Sequence, residues 1–217
     1  MKNKKIRCSC FVLGIIINSF GIACITKGAL GTSPISSVPY VLSLRFPFSF
    51  GFFTFLVNAL FVITEIVLLR NKFRPVDFLQ LAVNVIFSTF IDISMAVLAW
   101  LAPQNLFLQI LTVVMGCTIM AFGICMEVIP AVLLVPGEGV VKAISRTFHF
   151  KFGSVKICFD VALLLLSLVM TMVFWGEIKG LGLGTIISAL LVGKLVNIFH
   201  KKMPFFSVLE SLSSDQK

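Results

Sequence analysis

The chain has 217 residues, of which 59% are hydrophobic and only 12% charged, with a mean hydropathy of +1.08. That composition excludes an ordinary soluble domain and a disordered chain, and it describes an all-α membrane protein. The formal net charge of +9 would invite nucleic acid as a partner in a soluble protein. Here the basic residues lie between apolar runs, where they set orientation and face anionic lipid, so the partner they imply is a lipid bilayer and not nucleic acid.

Crossing the hydrocarbon core takes about 20 mostly apolar helical residues. Six segments qualify: 8–27, 50–70, 76–100, 107–127, 152–174 and 180–199. The first follows Lys2, Lys4, Lys5 and Arg7, as in a signal peptide, but its apolar run is too long for that and has no A-x-A site before Lys27. Gly21 stands where a lipoprotein site ending at Cys24 would need a branched aliphatic residue, so the first span is expected to be retained. Cys24, Cys117, Cys125 and Cys158 fall within spans, where a thiol packs as a small hydrophobe. Cys8 and Cys10 form a C-x-C pair with no other ligand nearby in sequence, so no metal site or cofactor is expected.

Between spans 1 and 2 the run Thr32–Ser43 reads as a short helix, with Ser33 as N-cap and Pro34 at the first helical position. Twelve helical residues reach about 18 Å, too short to cross. Ser33, Ser36, Ser37, Tyr40 and Ser43 form a polar stripe along it. The motif Phe46, Phe48, Phe50, Gly51 follows, and reads as an interfacial aromatic turn that lets the next span pack closely. Span 2 carries Asn58 and Glu65, and span 3 carries Asn84 and Asp92. Span 4 ends at Glu127; that residue and Glu65 are read as reaching the interface from near a span end.

A second short helix follows span 4, over residues 136–146, with Pro136 opening it and Glu138 in its first turn, where a carboxylate suits the helix dipole. Its stripe is Glu138, Lys142, Ser145 and His149, and Phe148, Phe150, Phe152, Gly153 follow. Two placements are open for both short helices. They lie flat at the interface as amphipathic helices, or they are re-entrant half-helices aimed at a central cavity. The apolar lead-ins, Leu30 and then Val132, Leu133, Leu134 and Val135, favour the re-entrant placement. On span 5, Lys156 and Asp160 are four apart and share a helix face, either as a structural ion pair or as part of a site. Span 6 carries Asn197 and also Lys194, which is placed to answer Asp92 or Glu138. A short polar tail, 203–217, closes the sequence and is expected to fray.

The chain repeats itself 102 residues apart. Residues 14–58 laid over 116–160 without a gap match at 13 positions, and the matches include Gly14/Gly116, Gly21/Gly123, Pro34/Pro136, Ser43/Ser145 and the whole Phe-x-Phe-x-Phe-Gly motif. Chance likeness of two apolar segments would share Leu, Ile and Val, not spaced Gly, Pro and Phe. The third spans align once three residues are inserted, which pairs Asp92 with Asn197. The two halves are about 8–101 and 107–202, within one transmembrane domain. Three spans per copy force the second copy to enter the bilayer inverted, so the fold expected is six spans in two inverted-topology repeats, the architecture of many secondary transporters. Thirteen basic residues flank the cytoplasmic ends (Lys2, Lys4, Lys5, Arg7, Arg70, Lys72, Arg74, Lys142, Arg146, Lys151, Lys201, Lys202, Lys217) if both termini are inside, against Lys27, Arg45 and Lys179 outside.

The half-helix motifs Gly31-Thr-Ser-Pro-Ile-Ser and Pro136-Gly-Glu-Gly resemble the matched Pro-x-Asp loops of the YczE/YitT-type bacterial membrane proteins, and in particular the YczE-like branch with a Pro-Gly-Glu-Gly loop. The resemblance runs from about Phe11 to Phe199. It departs at Ser36 and Glu138, where many relatives carry Asp, and the chain lacks the soluble C-terminal domain of the YitT branch. It implies a bacterial inner-membrane location and supplies no biochemical role.

Ionisable groups inside a bilayer are costly and face the protein interior. Those that pair under the repeat carry most weight: Ser36 with Glu138, Asn58 with Asp160, and Asp92 with Asn197. With Ser33 and Lys156 they form the candidate substrate-binding set. The function expected is a small-molecule permease working by alternating access, for a small solute or with a coupling ion, with homo-oligomerisation left open. The alternative is a non-catalytic scaffold or accessory protein. An enzyme is not expected, because neither H-E-x-x-H nor G-x-S-x-G nor a Cys/His constellation occurs, and the two histidines, His149 and His200, sit at membrane edges.

Overall fold

The computed structural model describes residues 2–70, 73–130, 132–203 and 206. Lys72, Lys217 and most of the polar tail lie outside the described residues. Among the described residues eight α-helices have defined bounds, in chain order: α1 (Lys2–Lys27), α2 (Ser37–Arg45), α3 (Phe50–Leu69), α4 (Leu79–Val97), α5 (Leu106–Val128), α6 (Pro136–Phe148), α7 (Phe152–Trp175) and α8 (Leu183–Lys202). A 3-10 turn, Pro34–Ser36, leads into α2, and another, Pro75–Phe78, leads into α4. No strand occurs among the described residues. Among the described residues six helical stretches are long and apolar enough to cross a membrane: Lys5–Lys27, Phe50–Leu69, Pro75–Val97, Leu106–Val128, Phe152–Trp175 and Leu183–Lys202. They coincide with the six expected spans to within a few residues, and α2 and α6 are the two expected short helices.

The boundaries have local causes. Ser49 caps α3 by accepting from the Phe52 N–H at 3.0 Å, and Asn105 caps α5 by accepting from Leu108 N–H at 2.8 Å. Asp77 accepts from the Arg74 N–H at 2.9 Å and so fixes the 3-10 turn ahead of α4. α7 stops at Gly176, whose φ of 71° suits a residue without Cβ. One expectation is corrected. Ser33 does not cap an α-helix directly. The first three residues after it form the 3-10 turn, held by Ser37 Oγ donating to Pro34 O at 2.6 Å, and α2 starts from Ser36 without a side-chain cap bond.

The chain divides into two compact units that cut across the repeat boundary. The first comprises Met1–Ser33, Ile93–Val132 and Gly182–Lys217. In it α1 and α5 pack antiparallel at close range. Gly14 lies beside Gly123 and Glu127, Gly21 beside Met120, Gly116 beside Cys24 and Ile25, and Gly28 beside Val113. A Cβ on Gly21 would fall 2.5 Å from the Met120 nitrogen, so the contact needs glycine. The segment after α1 is tied to the start of α8. Gly184 N–H donates to Leu30 O at 2.8 Å, and Thr32 N–H donates to Thr185 Oγ1 at 3.3 Å.

The second unit comprises Pro34–Asp92 and Leu133–Leu181. Its core is two adjoining apolar clusters. Val38, Val57 and Leu163 form one, Val140, Val141 and Val155 the other, and Phe61 and Phe159 pack against both with ring centroids 5.1 Å apart. In this unit α2 packs on α3 and α7, and α6 also packs on α3 and α7.

Candidate functional site

The second unit brings the openings of the two short helices together. Ile35, in the turn before α2, fills the space next to Gly137, where a Cβ would overlap its Cδ1 atom. The residues that follow are Ser36, buried, and Glu138, half-buried. Pro136 supplies the first residue of α6 with its φ already helical, so the chain turns into the helix at this point. Glu138 stands in the field of Lys156 and Asp160 on α7. Those two are joined at 2.9 Å, each slightly more than a quarter exposed. Burial raises the Glu138 carboxyl above the ordinary carboxylate range; Lys156 opposes the shift and Asp160 adds to it.

Beside this cluster α3 and α4 meet along a polar seam. Asn58 donates to Asn84 Oδ1 at 2.9 Å, and Asn84 in turn donates to Phe55 O at 2.9 Å. Gln80 Nε2 donates to Glu65 Oε2 at 3.1 Å. Both Glu65 and Gln80 lie against Gly139 of α6. At the other end of the seam, Asp92 accepts from Ser49 Oγ at 2.5 Å and from Gly51 N–H at 2.7 Å. Gly51 lets α3 approach Ser88 O and Asp92, which is the close packing expected after the aromatic turn.

Of the expected site residues, Ser36, Asn58, Glu138, Lys156 and Asp160 share this unit with the short-helix openings. Asp92 is in the same unit but is committed to holding the start of α3. Ser33, buried, and Asn197, exposed on α8, belong to the other unit, as does Lys194, which is exposed. Glu65 and Glu127 do not reach an interface as expected. Glu65 is 5% exposed and Glu127 is 2% exposed. Glu127 accepts from Asn18 Nδ2 at 3.0 Å, on the face of α5 where Gly14 lets α1 come close. Sequence reasoning overlooked Gln80 altogether and counted Asn18 only among the neutral polar residues of the spans, without a partner for it. The signal for Gln80 was present: Gln80, Asn84, Ser88 and Asp92 recur every four residues, a polar stripe along one face of an apolar span.

Among the described residues no group of three or more His, Cys, Asp or Glu side chains is arranged to hold a metal ion. The chain belongs to a family of unknown function, DUF6198, whose family model matches residues 5–201. No curated protein and no solved structure matches it.

Proposed function

We propose that this protein is a bacterial inner-membrane permease for small solutes. In this reading it is built as two inverted-topology repeats, has both termini in the cytoplasm, and works by alternating access. The resemblance to YczE/YitT-type proteins belongs to this reading. The observation that carries it is the meeting of Ile35 and Gly137, which are equivalent positions under the 102-residue offset. Equivalent residues touch each other only close to a two-fold axis. Two further patterns, each within one unit, are symmetric under the same exchange of copies. Exchanging the copies turns the contact of Asn18 with Gly123 into that of Gly21 with Met120, and that of Gly14 with Glu127 into that of Ile25 with Gly116; all four contacts occur. The same exchange turns the packing of α2 on α7 into that of α6 on α3.

Short helices at matching places in two halves are where transporters of this architecture bind solute. Glu138, Lys156 and Asp160 beside those openings give a net-acidic cluster of two carboxyls and one ammonium, which suits a cationic or amine-bearing solute better than an anion. The test is purified protein, in detergent and in liposomes, screened with amines, inorganic cations and anions for thermal shift and for flux. A cationic ligand that raises the Tm and is carried into liposomes, with both effects lost in Glu138→Gln, is the expected result. Stabilisation and flux indifferent to Glu138→Gln would reject the site. No ligand and no flux would favour the accessory-protein reading.

A further inference from the structure

Glu65 lies four residues before the end of α3 and is 5% exposed. No Lys or Arg among the described residues forms an ion pair with it. Its hydrogen-bond donor is the neutral amide of Gln80, at 3.1 Å. Gln80 is itself 2% exposed, and its Oε1 has no hydrogen-bond partner among the described residues. That oxygen and Glu65 Oε2 both point at Gly139, where a Cβ would lie 2.9 Å from the first and 2.5 Å from the second.

The other groups facing the pair are few. Asp77, from the turn ahead of α4, and Lys142, from α6, act on Glu65 electrostatically. Asp77 is held by Arg74 at 3.0 Å. Glu138, next to Gly139, belongs to the field of Lys156 and Asp160 on α7. Two oxygens are too few for a hard metal cation such as calcium, which takes about six to eight. They suit a single proton. An ionised carboxylate only accepts hydrogen bonds and needs an N–H, which Gln80 Nε2 supplies. A protonated carboxyl also donates and needs an acceptor, and Gln80 Oε1 is an acceptor without a donor.

We propose that Glu65 and Gln80 form a single-proton binding site, in which the Gln80 amide turns over to pair with either protonation state of Glu65 and α6 senses the change at Gly139. The step is balanced. One proton from water forms one O–H bond on the carboxylate, no other bond changes, and the buried charge falls by one. With the amide turned over, an NH2 group replaces an oxygen against the Gly139 α-carbon. The group facing Gly139 changes from an acceptor to a donor, which biases α6 away from α4, the helix that carries Gln80. The position equivalent to Glu65 in the other half is Ser167, fully buried and donating to Leu164 O of its own helix, so only one half carries the titratable group. As a coupling site the pair rests on the permease reading; as a proton site it does not.

The test is an infrared pH titration of the full chain in lipid nanodiscs, without any solute. The expected result is a protonated-carboxyl C=O band that grows on acidification, disappears in Glu65→Gln and persists in Glu138→Gln. In Gln80→Leu its midpoint should move to higher pH, because both forms lose their partner but the ionised form loses the stronger, charge-assisted hydrogen bond. If Glu65→Gln does not fold, Glu65→Asp must displace the band in frequency. A band unchanged in the Glu65 variant that folds, or one insensitive to Gln80→Leu, overturns the proposal. Solute flux in liposomes separates the two readings. A titrating Glu65 in a chain that carries no solute removes the permease and leaves the proton site. Flux driven by a pH gradient and indifferent to Glu65 replacement removes the coupling role and leaves the permease.

Discussion

Ile35 and Gly137 face each other at the openings of the two short helices, and Ile35 Cδ1 occupies the space that a side chain at 137 would take. The contact is between the far end of a flexible side chain and a backbone that has no Cβ. Gly137→Ala should therefore force Ile35 into another rotamer and cost about 1–3 kcal/mol, in the range of overpacking a filled site. Ile35→Ala, made alone, should open a void and also destabilise. Made together, the two should restore much of the loss. Chemical unfolding of the four proteins in detergent measures the coupling, and simple additivity would mean the two residues do not touch.

The glycines of the α1–α5 pair offer a sharper contrast. At Gly21 a Cβ meets the Met120 backbone nitrogen and α-carbon at 2.5 and 2.6 Å, which no rotamer change relieves, so Gly21→Ala requires the two helices to separate. At Gly153 a Cβ meets nothing within 4 Å. We expect Gly21→Ala to lower the Tm by several degrees or abolish recovery of folded protein, and Gly153→Ala to leave both unchanged. Both glycines belong to the repeat, so equal effects would mean that the repeat pattern reflects ancestry and not packing.

Much of this architecture was legible in the sequence because its causes are local. Six apolar runs of about 20 residues give six helices, and Pro34 and Pro136 open the two short ones. The 102-residue match aligned Ile35 with Gly137, but it gave weight to the polar pair Ser36 and Glu138 one residue on and did not single out the pair that meets. What was not legible is which face each span buries. Glu65 and Glu127 looked like end-of-span residues that reach the headgroups, but they are buried because Gly139 and Gly14 on other helices make room beside them. Asp92 looked like a cavity residue because it aligned with Asn197. Its carboxylate is instead used by Ser49 and Gly51, 43 and 41 residues away in sequence. No pattern within a single span reports a contact that far off.

That assignment of Asp92 is testable. Its carboxylate accepts from two groups at the first turn of α3, a position where negative charge also favours the helix dipole. Asp92→Asn should cost about 1–2 kcal/mol, as for loss of a charged cap, and Ser49→Ala should cost less in that background than in the wild type. Solute-dependent thermal shifts should survive Asp92→Asn. Their loss would return Asp92 to the binding site.

The proposed orientation, with both termini inside, rests on the basic residues. Arg74 precedes α4 and Lys202 ends α8, whereas Gln104 lies between α4 and α5. With both termini inside, single cysteines near 74 and 202 in a cysteine-free background should resist a membrane-impermeant reagent in intact cells, and one near 104 should react. Labelling at 202 from outside would invert the topology and move α6 to the outer face.

The last prediction concerns Glu138 and pH. Burial holds its carboxyl above the ordinary carboxylate range, with Lys156 only partly offsetting this. The sign of the effect on stability follows from proton counting. Between the unfolded and the folded pKa the native protein binds the proton and the unfolded chain does not, so unfolding releases it and stability falls as pH rises. The contribution of Glu138 is thus a penalty, absent below the ordinary carboxylate pKa and complete above the folded value. The Tm of the purified protein should fall across that window as pH rises, and Glu138→Gln, neutral at every pH, should flatten the curve and raise the Tm at its upper end. Lys156→Met removes the opposing ammonium and should extend the window to higher pH, although it also frees Asp160 from its partner at 2.9 Å. A Glu138→Gln curve that runs parallel to the wild type would mean Glu138 is solvated at the lipid–water boundary, and its place beside the short-helix openings would then carry no electrostatic consequence.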